Sequence, residues 1–422
     1  TVFGIVLLID LLYQFWVHTE QVGKLGWFDR VFCSPSNHRV HHAVNDGYVD
    51  KNYGGILMLW DHLFGSFQEE DDKKPCVYGT RGALNSWDPL WANLEVYWAL
   101  AKTSWRTPRW GDKFLVWLKP PGWQSDEMAR HSPKPPFTLE AVTTFNPPLS
   151  PVQQWFAALQ FVLALAAVLA FLWHVDAMPL TKAAIWATAI AAGLWANGRF
   201  LQGGLAMLEV LTVECAALST VSALGFIDGY MVFKPLTMMI AITFVAVYAY
   251  STRARGRFHA LLLAALVFSL AGDVFLMLPG NYFIPGLASF LVAHIFYIAL
   301  FRQEQVWFPS KRALLGVLAV GAVMYSIIWG GLNDPVLKIA VAAYVTVISL
   351  MAAQAIGRAT STGDAAARWV ALGACVFMVS DSLIAINKFV TPVALSSLWI
   401  LTTYYCAQML ILHNVRRTPS PG

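Results

Sequence analysis

Residues 258–278 read FHALLLAALVFSLAGDVFLML, twenty-one residues with no lysine or arginine and a single carboxylate, Asp273. A helix rises about 1.5 Å per residue, so about 20 apolar residues cross a hydrocarbon core roughly 30 Å thick. The stretch therefore reads as a transmembrane helix with one acid near its end. Nine others of the same kind lie at 154–173, 181–198, 204–226, 235–252, 284–301, 313–330, 336–356, 369–387 and 393–413. With 57% of its 422 residues hydrophobic and 13% charged, the chain is too apolar for a soluble globule. The expected fold is all-α: a polytopic helical membrane protein of about ten transmembrane helices preceded by a histidine-bearing cap segment. A net charge of +4 without a long basic run speaks against nucleic acid as a partner. Five scattered cysteines, 33, 76, 215, 375 and 406, suit neither a disulfide framework nor a zinc site.

Residues 17–153 differ from the helical stretches C-terminal to them, with 14 Lys/Arg, 15 Asp/Glu and many Trp. The segment WDPLWANLEVYWALAKTSWRTPRW suits a surface at the headgroup layer, or equally a soluble subdomain with a tryptophan core. If this cap is cytoplasmic, alternation puts the loops near 199, 253–257, 302–312, 358–368 and 416–417 on its side. Those positions carry 11 Lys/Arg, against Lys182, Lys234, Lys338 and Lys388 opposite, as the positive-inside rule asks. The cap and the C-terminus are thus expected in the cytoplasm. The chain opens TVFGIVLLIDLLYQFW, without Met and already inside an apolar run. It has neither the basic leader nor the cleavage site of a signal peptide, and reads as a fragment that starts within a helix.

The cap holds SNHRVHHAVNDGYVDKNYGG at 36–55, with His38, His41 and His42 in an HxxHH pattern. On a helix, positions i, i+3 and i+4 share a face, so three imidazoles could converge on one metal ion. Asp46, Asp50 and Asn52 could orient the rings, and His18 in YQFWVHTE could add a fourth ligand. The competing reading is a solvated turn with chance histidines.

The block Tyr13 to Phe67, with YQFWVHTE, SPSNHRVHH and DKNYGGILMLWDHLFGSF, resembles the fatty-acid hydroxylase/sterol desaturase superfamily, most closely its alkylglycerol monooxygenase branch. The resemblance implies histidine boxes that hold two irons on a cytoplasmic cap. His38, His41 and His42 would be the last box and His18 the histidine after the preceding helix. Nothing in this chain matches the family's first two boxes, so the iron site is expected to be incomplete here.

Ionisable residues inside membrane helices are costly and usually functional. Asp273 and Asp381, the latter in MVSDSLIAINKF, lie about five and six residues from the same membrane surface, with Lys234 at that surface. Two carboxylates at one depth make an acid/base pair, or each could hydrogen-bond a neighbouring helix. His294 in FLVAHIFYI could pack against a helix or join the site.

In order, FKPLTM, SLAGDVFLMLP, GLASFLVAHIFYI, VSDSLIAINKF and TYYCAQMLI resemble the YhhN-like lysoplasmalogenase family. Domains of 1–203 and 204–413, with a cytoplasmic tail 414–422, follow from the two resemblances. The second implies hydrolysis of the vinyl-ether bond of a lysoplasmalogen to a fatty aldehyde and glycerophospho-ethanolamine or -choline. Asp273 and Asp381 would be catalytic, Lys234 and His294 would bind substrate, and this half would use no cofactor. Partners would be membrane lipids, ether lipids or fatty acyl/sterol substrates. Two alternatives remain: a protein that is chiefly an iron-dependent hydroxylase or desaturase, and a non-catalytic lipid-binding or transport module.

Overall fold

The computed structural model describes residues 2–415 apart from 121, 132, 134–136, 252–255 and 304. Parts of two of the basic loops above, 253–255 and 416–417, and most of the expected tail lie outside the described residues. Among the described residues the regular secondary structure is helix, with only two isolated β-bridges, Phe32–Leu57 and Ala43–Tyr78. It divides into two compact units: residues 1–86 with 90–146, and 87–89 with 147–422.

The first unit begins with α1 (Val2–Val17), 16 residues with broadly exposed apolar side chains, followed by α2 (Trp27–Val31) and α3 (Pro35–His41). α3 starts at Pro35, pre-set for a helical φ, and Ser34 caps it by accepting the Asn37 amide at 3.4 Å. Arg39 then ties the loops to it. Its guanidinium donates to both carboxylate oxygens of Glu70, at 2.9 and 2.7 Å, and to the carbonyls of Thr19 and Val22. Ser36 donates to the same carboxylate at 2.8 Å. Burial pushes the Glu70 carboxyl upward, but these hydrogen bonds outweigh it and hold it below the ordinary carboxylate range.

After α4 (Leu59–Phe64) come α5 (Pro89–Arg106), α6 (Trp110–Leu118) and α7 (Asp126–His131). α5 buries none of its residues, and Trp98, Trp105 and Trp110 are 62%, 86% and 76% exposed. A tryptophan core is therefore excluded for this segment, and its rings face outward, as a headgroup-layer surface would have them.

The second unit contains α8 (Pro151–His174), α9 (Leu180–Leu201), α10 (Met207–Ala223), α11 (Tyr230–Ser251), α12 (Arg257–Met277), α13 (Phe283–Phe301), α14 (Lys311–Ile328), α15 (Pro335–Thr362), α16 (Ala365–Phe389) and α17 (Ser396–Val415). All ten expected helices form. Seven of them, α8 and α11–α16, are long and apolar enough to cross a membrane. The others depart for visible reasons: α10 has only 17 residues and carries Glu209 and Glu214, α9 carries Lys182 and Arg199, and α17 carries Gln408, His413 and Asn414.

Neighbouring helices run α10–α11–α12–α13–α15–α16–α17 and back to α10, a closed ring of seven, with α14 against α15 and α16, α9 against α10, and α8 against α9. Small residues allow the tightest approaches. A Cβ at Gly373 would meet the Ala407 carbonyl at 3.0 Å across the α16–α17 seam. The interior holds Phe244, Leu266, Phe290, Tyr297, Met351, Phe377 and Tyr404 in one continuous core.

Candidate functional sites

In the first unit α3 and the end of α1 bring three imidazoles together. The Nε2 atoms of His38 and His18 are 2.8 Å apart, those of His42 and His38 3.0 Å, and those of His42 and His18 3.3 Å. His38 and His42 stand at i and i+4 and share a face of the helix. His41 does not join them; its Nδ1 faces the Lys51 carbonyl at 3.3 Å instead. Nor do the polar side chains expected to orient the rings do so. Asp46 pairs with Arg81, Asp50 accepts the Tyr53 hydroxyl, and Asn52 bridges Asn37 and Gln68. The orienting group is the Gln14 carbonyl, which accepts Nδ1–H of His18 at 2.6 Å and leaves its Nε2 lone pair facing the cluster.

The donors fit one metal ion. Bonds of about 2.1 Å at right angles would space two ligand nitrogens by about 3.0 Å, which is the spacing found here. Burial, reinforced by the neighbouring imidazoles, lowers the His38 pKa to about 3 and lowers that of His42, so both stay neutral and able to ligate at neutral pH. A pocket of about 510 Å³ opens beside them, lined also by Glu20, Arg39 and Tyr78. No other group of three or more His, Cys, Asp or Glu side chains with metal-ligand spacing occurs among the described residues. The cluster thus suits one ion of the expected pair.

The second site lies in the helical ring. Asp381 of α16 sits in the wall of a narrow cavity of about 80 Å³, otherwise lined mainly by apolar side chains of α12–α16 such as Leu287, Phe290, Val341 and Ile348. The Tyr344 hydroxyl donates to its Oδ2. Ser349, 1% exposed, also lines the cavity, and its hydroxyl has no hydrogen-bond partner among the described residues.

Asp273 is not in this wall. It lies one layer behind, buried, with its Oδ2 accepting the Tyr404 hydroxyl at 2.5 Å and its Oδ1 3.4 Å from the Lys234 ammonium. A chain of edge-to-face rings connects the two acids: Tyr404 meets Phe377, Phe377 meets His294, and His294 meets Tyr344. His294 is fully buried, and neither of its nitrogens has a hydrogen-bond partner among the described residues. Lys234, expected at the surface to bind substrate, is instead 6% exposed and faces Asp273. The sequence reading missed Tyr344, Tyr404 and Ser349, because a tyrosine or serine in an apolar helix is ordinary filler until a partner is seen.

Known proteins match both halves. The family model for fatty acid hydroxylase covers residues 1–66, and that of the YhhN family residues 229–415. Alkylglycerol monooxygenase of Homo sapiens is 41% identical over 123 residues, 29% of this chain and 27% of that protein. The Danio rerio protein of the same name is 37% identical over 168 residues, 39% of this chain and 37% of its own length. This chain therefore spans well under half of the monooxygenases that it matches. Lysoplasmalogenase TMEM86B of Homo sapiens is 32% identical over 189 residues, 45% of this chain and 78% of that protein. No solved structure matches. The chain belongs, through its C-terminal half, to the YhhN family, and its residues 1–66 match the fatty acid hydroxylase model.

Proposed function

We propose that the helical ring hydrolyses the vinyl-ether bond of lysoplasmalogens, giving a fatty aldehyde and a glycerophospho-ethanolamine or -choline. The observation that carries this reading is Asp381, a lone carboxyl in the wall of an apolar, lipid-compatible cavity. Among the described residues no cation pairs with Asp381, which is the proton donor. It protonates the outer alkene carbon, and the positive charge passes to the inner carbon and the ether oxygen as an oxocarbenium ion. Water adds to the inner carbon and loses a proton, and the hemiacetal collapses to the aldehyde and the glycerol hydroxyl. Tyr344 fixes the carboxyl, leaving Oδ1 for the proton, and the unpaired Ser349 hydroxyl can hold the water.

Asp273 has Lys234 as a counter-ion and serves as the fixed negative charge that favours the cationic intermediate. His294 lies behind Tyr344 and acts through it rather than on the lipid. The relatives named lysoplasmalogenase and the YhhN match support this assignment. Residues 1–203, in the same reading, derive from a lipid hydroxylase half, and 204–413 form the hydrolase domain. His18, His38 and His42 would hold iron, which when bound would supply oxygen chemistry on a saturated ether chain. Both chemistries would act on ether lipids and release an aldehyde. The cap and C-terminus are assigned to the cytoplasm on the distribution of basic residues.

The test is aldehyde release from a lysoplasmalogen by purified chain in detergent, with and without chelator. Chelator-resistant release that is lost in Asp381→Asn is the expected result. Release that survives Asp381→Asn would remove the acid from the mechanism, and lipid affinity without any release would favour a binding module.

A further inference from the structure

The cavity that contains Asp381 ends beside a second charged group that the chemistry above does not use. Lys388 stands in the last turn of α16, exposed, with its ammonium 4.7 Å from the ring centre of Phe283 and 6.0 Å from that of Phe389. Both rings line the cavity. No carboxylate pairs with Lys388 among the described residues. Lys234, the other candidate for an anionic headgroup, is committed to Asp273, and drawing it away would leave a buried carboxylate unpaired.

The spacing along α16 is informative. Lys388 follows Asp381 by seven residues, about 20° short of two full turns, so the two share a helix face about 10.5 Å apart along the axis. Ile384, Ala385 and Phe389, between and beside them, line the cavity too. In a lysoglycerophospholipid the alkene carbon to be protonated and the phosphorus are seven bonds apart, roughly 9 Å when extended at ordinary bond lengths. The flexible lysine stem covers the difference.

We propose that Lys388 is the headgroup-phosphate subsite of this cavity. α16 then acts as a ruler that selects ether lipids carrying a phosphate on the glycerol carbon distal to the ether. This rests on the hydrolase reading for the position of the bond, but the affinity for phosphate can be measured without turnover.

Three proteins would be compared: wild type, Lys388→Met and Lys338→Met. Lys338 serves as control because its ammonium sits 4.4 Å over Trp329, which does not line the cavity. Each would be given 1-alkenyl-lysophosphoethanolamine and the phosphate-free 1-alkenylglycerol of the same chain length. Lys388→Met is expected to raise KM for the phospholipid about tenfold with kcat nearly unchanged, and to leave the alkenylglycerol unaffected. Lys338→Met should match wild type, and Lys388→Arg, which keeps the charge, should recover most of the affinity.

Equal losses on both lipids, or no loss on either, would overturn the subsite. In a second arm, the saturated analogues 1-alkyl-lysophosphoethanolamine and 1-alkylglycerol would be titrated by calorimetry. If wild type cleaves nothing, the hydrolase reading fails, and a phosphate-dependent affinity lost in Lys388→Met would still establish the subsite. Inorganic phosphate alone would be titrated as well. If it bound as tightly as the lipid phosphate, the site would be one for the bare anion and the lipid ruler would be wrong.

Discussion

At the scale of single residues, the two acids differ in their partners. Among the described residues Asp273 has a cation beside it, whereas Asp381 is paired with a hydroxyl. Lys234→Met would leave Asp273 buried without its counter-ion, and the expected cost is about 3–5 kcal/mol of stability, with much of it recovered in the Lys234→Met/Asp273→Asn double variant. Thermal or denaturant unfolding in detergent checks this. A stable Lys234→Met protein whose KM alone had risen would instead return Lys234 to the headgroup. Tyr344→Phe keeps the ring and removes only the hydroxyl that fixes Asp381, so kcat should fall about tenfold while the protein remains folded. Asp273 and Asp381 stand out in the sequence because a carboxylate amid apolar residues is costly. Their tyrosines do not, since Tyr344 is 37 positions from Asp381 and Tyr404 is 131 from Asp273. Only the helix packing pairs them.

At the scale of elements, α3 depends on polar contacts as much as on packing. Glu70 has a folded pKa below its unfolded value of about 4.3, so the unfolded state binds more protons as the pH falls through that range. The stabilisation is therefore full above the unfolded value and disappears as pH falls through the folded one. Glu70→Gln should cost about 1.5–3 kcal/mol at neutral pH, and little at acidic pH where wild type has lost the same term. Hydrogen exchange of the α3 amides at neutral and acidic pH reads this out. An unchanged pH profile in the variant would mean that Arg39 finds its support elsewhere.

The histidine spacing was legible as far as helix geometry goes: i and i+4 converge as the pattern requires. His41 at i+3, the last residue of α3, faces the Lys51 carbonyl instead, while His42, the C-cap, keeps the helical register and joins the cluster. His18 joins from 20 positions upstream, a contact that no spacing rule could place.

At the scale of the whole molecule, hydropathy located all ten helices of the second unit but could not rank them as spans. A helix at the interior of a bundle is free to carry polar groups facing its neighbours. α10 and α17 illustrate this: Glu209 of α10 and His413 of α17 meet at 2.7 Å, and Ser219 and Tyr405 at 2.8 Å, inside the ring. Both helices lie alongside neighbours long and apolar enough to cross, α11 and α16 respectively, and they close the ring on each other. The ring predicts that they cross with it, although one is short and both are polar. If α9 crosses too, ten passages separate residue 150 from residue 415, and an even number returns the chain to the side it left. Seven passages would not. Reporter fusions after residue 415, read against labelling of a cysteine introduced in the exposed loop at 82, should thus score on one side of the membrane, the side the basic loops assign to the cytoplasm. Opposite sides would mean an odd count, with α9, which lies outside the ring and carries Lys182 and Arg199, as the one that fails to cross.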